Sequence, residues 1–480
     1  MSSPAIPDPS LNRVPGQVHH IHVMGICGTG MAALAGMLKE CGYRVTGSDQ
    51  NVYPPMSDFL AASGIPVLEG YRPENLCPRP DLVVVGNVIR AVNPEALRLV
   101  ELGIPYVSMP QALGHFFLED HISLVVAGTH GKTTTSSLLA SALHHTGNAP
   151  GFMIGGIVQE FQRNFALGKG KYFVVEGDEY DTAFFDKGSK FLHYRPDFAI
   201  ITSVEFDHAD IFADLEVIKK AFSRFVALVP ASGAIIACGD DLVVQEIIDQ
   251  ATCPVVRYGT GIDCQWRVSD FQAQGLRSTF TVHTDGSRFG EFTLPMPGLH
   301  NALNATAVIA LLHQLGLDQA EIRRGLVTFQ GVKRRQQIRG EVNGILVIDD
   351  FAHHPTAVRE TIMALKTAWP DRRLVVVFEP RTNSSRRAVF QEQYAAAFPQ
   401  GELIVVREHV PLHSVPAEQQ FSSDRLVRDL RATGKDAHYF TTTDEILDFL
   451  VANARPGDVV AILSNGGFDN IHERLLARLA

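Results

Sequence analysis

The run VVAGTHGKTTTSSLLASAL, Val125 to Leu143, constrains this chain more than any other stretch. An apolar strand ends in glycine, a Gly-Lys-Thr follows, and helix-forming residues begin at once. Backbone N–H groups at a helix N-terminus point outward with the positive end of the helix dipole, so this turn is a cradle for an anion. The long phosphate-loop pattern GxxxxGK[ST] would need glycine at Val126; Gly128 supplies the turn instead, in the shorter GTHGKTT. Gly128, Thr129, His130, Gly131, Lys132, Thr133 and Thr134 are therefore assigned to a nucleotide phosphate. Lys132 is expected on the outer phosphates and the Thr133 hydroxyl on Mg2+.

Two acid-rich strand ends follow. YFVVEGDEYD puts Glu176 after an apolar run, and IITSVEFDHAD puts Glu205, Asp207, His208 and Asp210 after another. Ligands of an open α/β sheet sit at the carboxyl ends of its strands, so these acids are candidates for the metal of a Mg–ATP site. His208 is either a neutral imidazole ligand or a capping group, and the sequence leaves that open.

A second glycine loop lies upstream. HIHVMGICGTGMAALA carries Gly28, Thr29, Gly30 and Met31 in a GxGxxA pattern after a strand, and Ser48 and Asp49 end the next strand. Such glycines let the backbone approach a pyrophosphate, and the acid accepts from a ribose hydroxyl or a nearby amide. NAD is the default ligand, but hydride transfer leaves the phosphate loop unexplained. A ligase accounts for both loops, with one nucleotide as energy source and the other as a handle on the substrate.

The 480 residues suggest about three domains of roughly 150 each. Strands alternating with helices predict an α/β fold with parallel sheets. Short β-like runs crowd the stretch from Gly233 to Pro297. A net charge of -10 argues against non-specific nucleic-acid binding. The six cysteines form no CxxC pair, which fits reduced thiols in a cytoplasmic enzyme. No window approaches the ~18 apolar residues of a membrane span, and MSSPAIPDPSLNRVPGQ lacks the pattern of a signal peptide.

GICGTGM, GTHGKTTT, EGDE, EFDHAD, GLHNALNATA, GVKRR and DDFAHHPT occur in this order along nearly the whole chain. Together they resemble the Mur ligase family, which builds the peptide of bacterial cell-wall precursors. The resemblance implies a Rossmann-like UDP-sugar domain over 18–116, a central P-loop ATPase over 117–334 and a C-terminal Rossmann-like domain for the amine substrate over 335–480. It implies catalytic roles for Lys132, Glu176, His208 and Arg335, with one Mg2+ on Thr133 and Glu176 and a second at His208. Asn301 and Asn304 fall near the adenine and ribose of ATP, Arg335 at the γ-phosphate, and Asp350 near the ribose. Arg334 and Asp349 are the alternative registers. Gly28, Thr29, Gly30, Met31, Ser48 and Asp49 fall on the UDP-sugar.

Within the family, FEPRTNSS and SNGGFDNIHERLL are similar to the branch that joins UDP-N-acetylmuramate to L-alanyl-γ-D-glutamyl-meso-diaminopimelate in murein recycling. The alternative amine is L-alanine. His353, Arg381 and Asn383 are the expected peptide contacts. The carbamylated lysine of other branches has no clean match at Lys219 or Lys220. No nucleic-acid or membrane partner is expected, and a monomer or weak homodimer is.

Overall fold

The computed structural model describes residues 4–413 and 415–480. Its strands form three large sheets and one two-stranded ribbon. The first sheet runs, from edge to edge, Val67–Glu69, Arg44–Asp49, His20–Met24, Leu82–Val85 and Tyr106–Ser108, all parallel. This is the Rossmann strand order, and the chain reverses direction at His20–Met24, whose following loop is the GICGTG turn. Leu82–Val85 is buried on both faces, which is why it reads as an unbroken apolar run.

The second sheet has ten strands. Ile122–Ala127 lies between Phe198–Ile201 and Tyr172–Gly177, parallel to both. That order matters for function. It puts the GTHGKT turn and the two acid-rich ends at neighbouring positions on one carboxyl edge. The β-like runs between Gly233 and Pro297 become an antiparallel meander, Trp266–Gln274, Arg277–Thr284 and Ser287–Leu294, that extends the same sheet. Helices Lys132–His145 and Leu299–Gln314 cover one face. The first twelve residues of Lys132–His145 are all buried, threonines and serines included, so this helix has no solvent stripe to reveal it as amphipathic.

The third sheet opens with an antiparallel pair, Gln337–Val342 and Ile345–Asp350, and continues in parallel through Val459–Leu463, Leu374–Phe378, Leu403–Arg407 and Asp436–Phe440. The first and second units share a core. Gly36, on helix Thr29–Glu40, lets the rings of Phe59 and Phe165 close in; a Cβ there would lie 2.8 Å from each. The segment near residue 115 is packed helix: Gly114 abuts the His193 carbonyl, and Phe117 and Leu118 are buried. The link into the third sheet turns sharply, with Arg334 and Gln336 at φ of 62° and 49°. No helix among the described residues is long and apolar enough to cross a membrane. The six cysteines are free thiols.

Candidate functional site

The GTHGKT turn is built on two glycines with positive φ, Gly128 at 134° and Gly131 at 81°. A Cβ on Gly128 would lie 2.1 Å from Thr202 Oγ1, and one on Gly131 2.8 Å from Asn304 Oδ1. Thr129 N–H donates to Ser203 O (2.7 Å) and His130 N–H to Ser203 Oγ (3.1 Å), which bolts the loop to the neighbouring strand end. The first helical bond is Thr135 N–H to Gly131 O at 2.9 Å. The N–H groups of the first turn are therefore left for a ligand. Gly128→Ala meets both the backbone and the clash, and thermal unfolding is expected to show a loss of about 3 kcal/mol.

Lys132 is buried at the start of the helix. Its Nζ donates to Gly128 O (2.5 Å) and to Glu179 Oε2 (2.9 Å). Thr133 Oγ1 donates to Glu176 Oε1 at 2.8 Å, and Gly155 N–H donates to Glu176 Oε2 at 2.7 Å. Burial raises the Glu176 pKa, and the neighbouring Asp178 raises it further. Burial also pushes Asp178 up, but Lys190 and Lys132 outweigh it and hold that carboxyl below its usual range. Lys190 Nζ sits 3.1 Å from Asp178 Oδ2 and 4.0 Å from the Tyr180 ring centroid. His208, at φ 51°, puts Nε2 3.7 Å from Glu179 Oε1. The strand ends thus gather Glu176, Asp178, Glu179 and His208 around Lys132 and Thr133. Crowded, buried carboxylate oxygen beside a threonine hydroxyl suits a hard divalent cation.

Arg335 Nη2 donates to Thr133 Oγ1 (3.2 Å), and its guanidinium lies 4.7 Å from the Phe351 ring centroid. Arg334 turns the other way, to Asp349 (3.5 Å) and the Gly466 carbonyl (2.7 Å). Of the two registers, Arg335 is the one beside the phosphate loop. Asp349 is occupied by Arg334 and by Arg339 at 3.1 Å. Asp350 accepts from the N–H groups of Gln336 (2.7 Å) and Ala352 (2.8 Å) and so braces the link between the second and third units. Asn304 packs on Gly131, while Asn301 donates to Pro297 O (2.7 Å) and Gln336 Oε1 (3.1 Å).

In the first unit, Gly28 caps helix Thr29–Glu40, where Thr29, Gly30 and Met31 form the first turn. Asp49 Oδ2 accepts from Cys27 N–H at 2.9 Å, so this acid holds the glycine loop itself. Ser48 is buried and donates to Glu95 Oε1 at 3.0 Å; its side chain faces inward, away from the loop. In the third unit, Arg381 packs on Gly466, and its nearest acid, Glu379 at 3.8 Å, is already held by Arg407 (2.7 Å) and Ser464 (2.5 Å). Asn383 Nδ2 reaches across to Asp210 Oδ2 (2.8 Å), and the His353 carbonyl accepts from the Tyr394 hydroxyl. Lys219 spans Glu216 (2.9 Å) and Glu246 (2.7 Å), well occupied without a metal.

Sequence reasoning passed over Glu179 and Glu379. The signal for Glu179 is its place three residues after Glu176 in EGDE, at the same strand end. Glu379 directly follows the strand Leu374–Phe378, the position that marked Glu176 as a candidate.

Two Rossmann-type units flanking a phosphate-loop unit, with carboxylates gathered at the loop, define a three-domain nucleotide-using enzyme. The chain belongs to the Mur ligase family, ATP-dependent enzymes that form amide bonds. The description "Mur ligase family, catalytic domain" matches residues 20–121, "Mur ligase middle domain" 126–312, and "Mur ligase, glutamate ligase domain" 334–466. The chain is 39% identical over 463 residues to the UDP-N-acetylmuramate–L-alanyl-γ-D-glutamyl-meso-2,6-diaminoheptandioate ligase of Escherichia coli K12, covering 96% of this chain and 98% of that one. It is 35% identical to the UDP-N-acetylmuramate–L-alanine ligase of Geobacter sulfurreducens, over 97% of this chain and 98% of that one. Among solved structures it resembles a murein peptide ligase from Psychrobacter arcticus 273-4, with TM-score 0.70, 35% identity and coverage of 96% and 98%. It also resembles the UDP-N-acetylmuramate–alanine ligase of Thermotoga maritima, with TM-score 0.79, 26% identity and coverage of 96% and 99%.

Proposed function

We propose that this chain joins the lactyl carboxylate of UDP-N-acetylmuramate to the N-terminal amine of L-alanyl-γ-D-glutamyl-meso-diaminopimelate, using ATP, in cytoplasmic murein recycling. The observation that carries this reading is the 39% identity to the E. coli tripeptide ligase across all three domains. The higher TM-score of the alanine ligase carries less weight here. Superposing a hinged three-domain chain scores domain orientation as well as local fold. We assign the UDP-sugar domain to 18–116, the ATPase to 117–334 and the peptide domain to 335–480.

A carboxylate cannot expel oxide, so an amine does not displace it directly. Transfer of the γ-phosphoryl group to the carboxylate oxygen gives an acyl phosphate; the amine then attacks the carbonyl carbon and phosphate leaves. The open N–H groups of the Lys132 turn hold the phosphates. Lys132 exchanges its contact with Glu179 for phosphoryl oxygen, and Arg335 adds charge from beside Thr133. Thr133, Glu176 and His208 would hold Mg2+, which when bound neutralises charge on the phosphates and the incoming carboxylate. A peptide α-amino group has a pKa of roughly 8, so an appreciable share is neutral near pH 7 and ready to attack. Water is kept from the acyl phosphate by the C-terminal domain, which meets the ATPase at Asn383–Asp210 and at Thr356–Glu205 (2.8 Å).

The test is phosphate release with ATP, Mg2+ and UDP-N-acetylmuramate, comparing the tripeptide with L-alanine. Release driven by the tripeptide is expected. Release driven by L-alanine alone overturns the amine assignment and leaves the ATP chemistry standing. Arg381 is half-exposed, and its nearest carboxylate is held by others, so its donors are free for a carboxylate of the peptide. Arg381→Ala is expected to raise KM for the tripeptide about 10- to 100-fold, the worth of a charged hydrogen-bond pair, with KM for ATP unchanged.

A further inference from the structure

Two imidazoles and a carboxylate meet at the seam between the ATPase and the C-terminal domain, and neither imidazole ring is used by the reaction above. They are His130 in the phosphate loop, Glu205 at the end of the adjacent strand, and His354 at the cap of helix Pro355–Ala368. One ligand atom from each lies within 4.8 Å of the others. His130 Nε2 is 2.7 Å from Glu205 Oε1, His354 Nδ1 is 3.9 Å from Glu205 Oε2, and the ring centroids are 4.7 Å apart.

We propose that His130, Glu205 and His354 bind a transition-metal dication of the zinc type, at a position separate from the magnesium ligands Thr133, Glu176 and His208. The surroundings are those of a metal-ligating set. His354 Nε2 faces the Phe206 carbonyl at 3.2 Å, which fixes the proton there and turns the Nδ1 lone pair toward Glu205. A ligating histidine usually donates its other ring N–H to a carbonyl or carboxylate in this way. The lone pair otherwise meets only Thr356 N–H, at a long 3.4 Å. Thr356 Oγ1 donates to Glu205 Oε2 at 2.8 Å and orients the carboxylate. Burial drives the His354 pKa down to about 4, so this imidazole is neutral at pH 7. Two imidazole nitrogens and a carboxylate oxygen suit zinc, cobalt or nickel; magnesium prefers oxygen and keeps its water. Ligand atoms held at about 2.0–2.2 Å from a tetrahedral ion stand roughly 3.3–3.6 Å from one another, so His130 and Glu205, at 2.7 Å, part slightly to admit the ion, while the other pairs, at 3.9 Å and within 4.8 Å, draw in. His130 and Glu205 belong to the ATPase and His354 to the C-terminal domain, so a bound ion ties the two together.

The test uses the full chain without nucleotide. Crystals grown with Zn2+ and measured at the zinc absorption edge should show an anomalous peak between His130 Nε2 and His354 Nδ1. In solution, Zn2+ titrated by calorimetry should bind once per chain at this position. His354→Ala and Glu205→Gln should weaken that binding at least about 100-fold, more than loss of an outer-shell partner, whereas Glu176→Gln should leave it. Co2+ added to the wild type should give the visible absorption of low-coordinate cobalt. An anomalous peak confined to Thr133, Glu176 and His208, or unchanged zinc affinity in folded His354→Ala, overturns the proposal.

Discussion

Lys132→Ala is expected to lower kcat for ligation by at least about 10³-fold, the scale of a lost preorganised charge contact in a water-poor site. Binding of the UDP-sugar, which we assign to the first domain, should be unchanged. The same substitution should also cost stability. Lys132 Nζ is 2.9 Å from Glu179, whose side chain is 2% exposed. Removing one member of a buried pair strands the other, at about 3–5 kcal/mol. A fall in activity could then reflect unfolding. Pairing Lys132→Met with Glu179→Gln separates the two, because neutralising both members removes the stranded charge. The double variant should regain most of the thermal stability and none of the activity. Thermal unfolding, calorimetry with UDP-N-acetylmuramate and phosphate release together decide the matter. A Lys132→Ala enzyme within tenfold of the wild-type kcat would remove the phosphate loop from the mechanism.

The phosphate loop was legible because its chemistry is local. A strand, two glycines, a lysine and a threonine within a few residues leave little freedom. The Rossmann loop was legible for the same reason, although the role of Asp49 in holding Cys27 N–H needed the fold. The cluster around Lys132 was only partly legible. Glu176 and His208 stood out as polar residues after apolar strands. Glu179 did not, because its place in EGDE is a weaker signal than its contact with Lys132 Nζ at 2.9 Å, which only the fold supplies. The choice of Arg335 over Arg334 was likewise a matter of backbone. Arg334 takes a left-handed φ of 62°, which sends the two side chains to opposite sides of the link. The contacts between domains were the least legible. Thr356 with Glu205, and Asn383 with Asp210, join residues more than 150 positions apart with no sequence periodicity to relate them.

Glu176→Gln should separate stability from function in the opposite direction to Lys132→Ala. Glu176 is squeezed by burial and by Asp178, so its pKa in the fold is raised. A carboxyl with a raised folded pKa favours the fold fully below its unfolded pKa, about 4.3. That contribution is lost as pH rises through the folded value. Glutamine mimics the protonated form. Its carbonyl can accept from Gly155 N–H and its amide can donate to Thr133 Oγ1, replacing both bonds of the acid. Without Mg2+ and nucleotide, the variant should therefore unfold at a temperature equal to or above that of the wild type at pH 7, with the difference vanishing near pH 4. Added Mg2+ and ATP should stabilise the wild type more, because a ligand that binds only the native state raises its stability by mass action. Ligation should fall about 10³-fold, because the charge proposed to gather the cation beside the γ-phosphate is gone. A variant that loses stability at pH 7 would mean that Glu176 is held in the fold as a paired ion; one that keeps its activity would move the metal to Asp178 and Glu179.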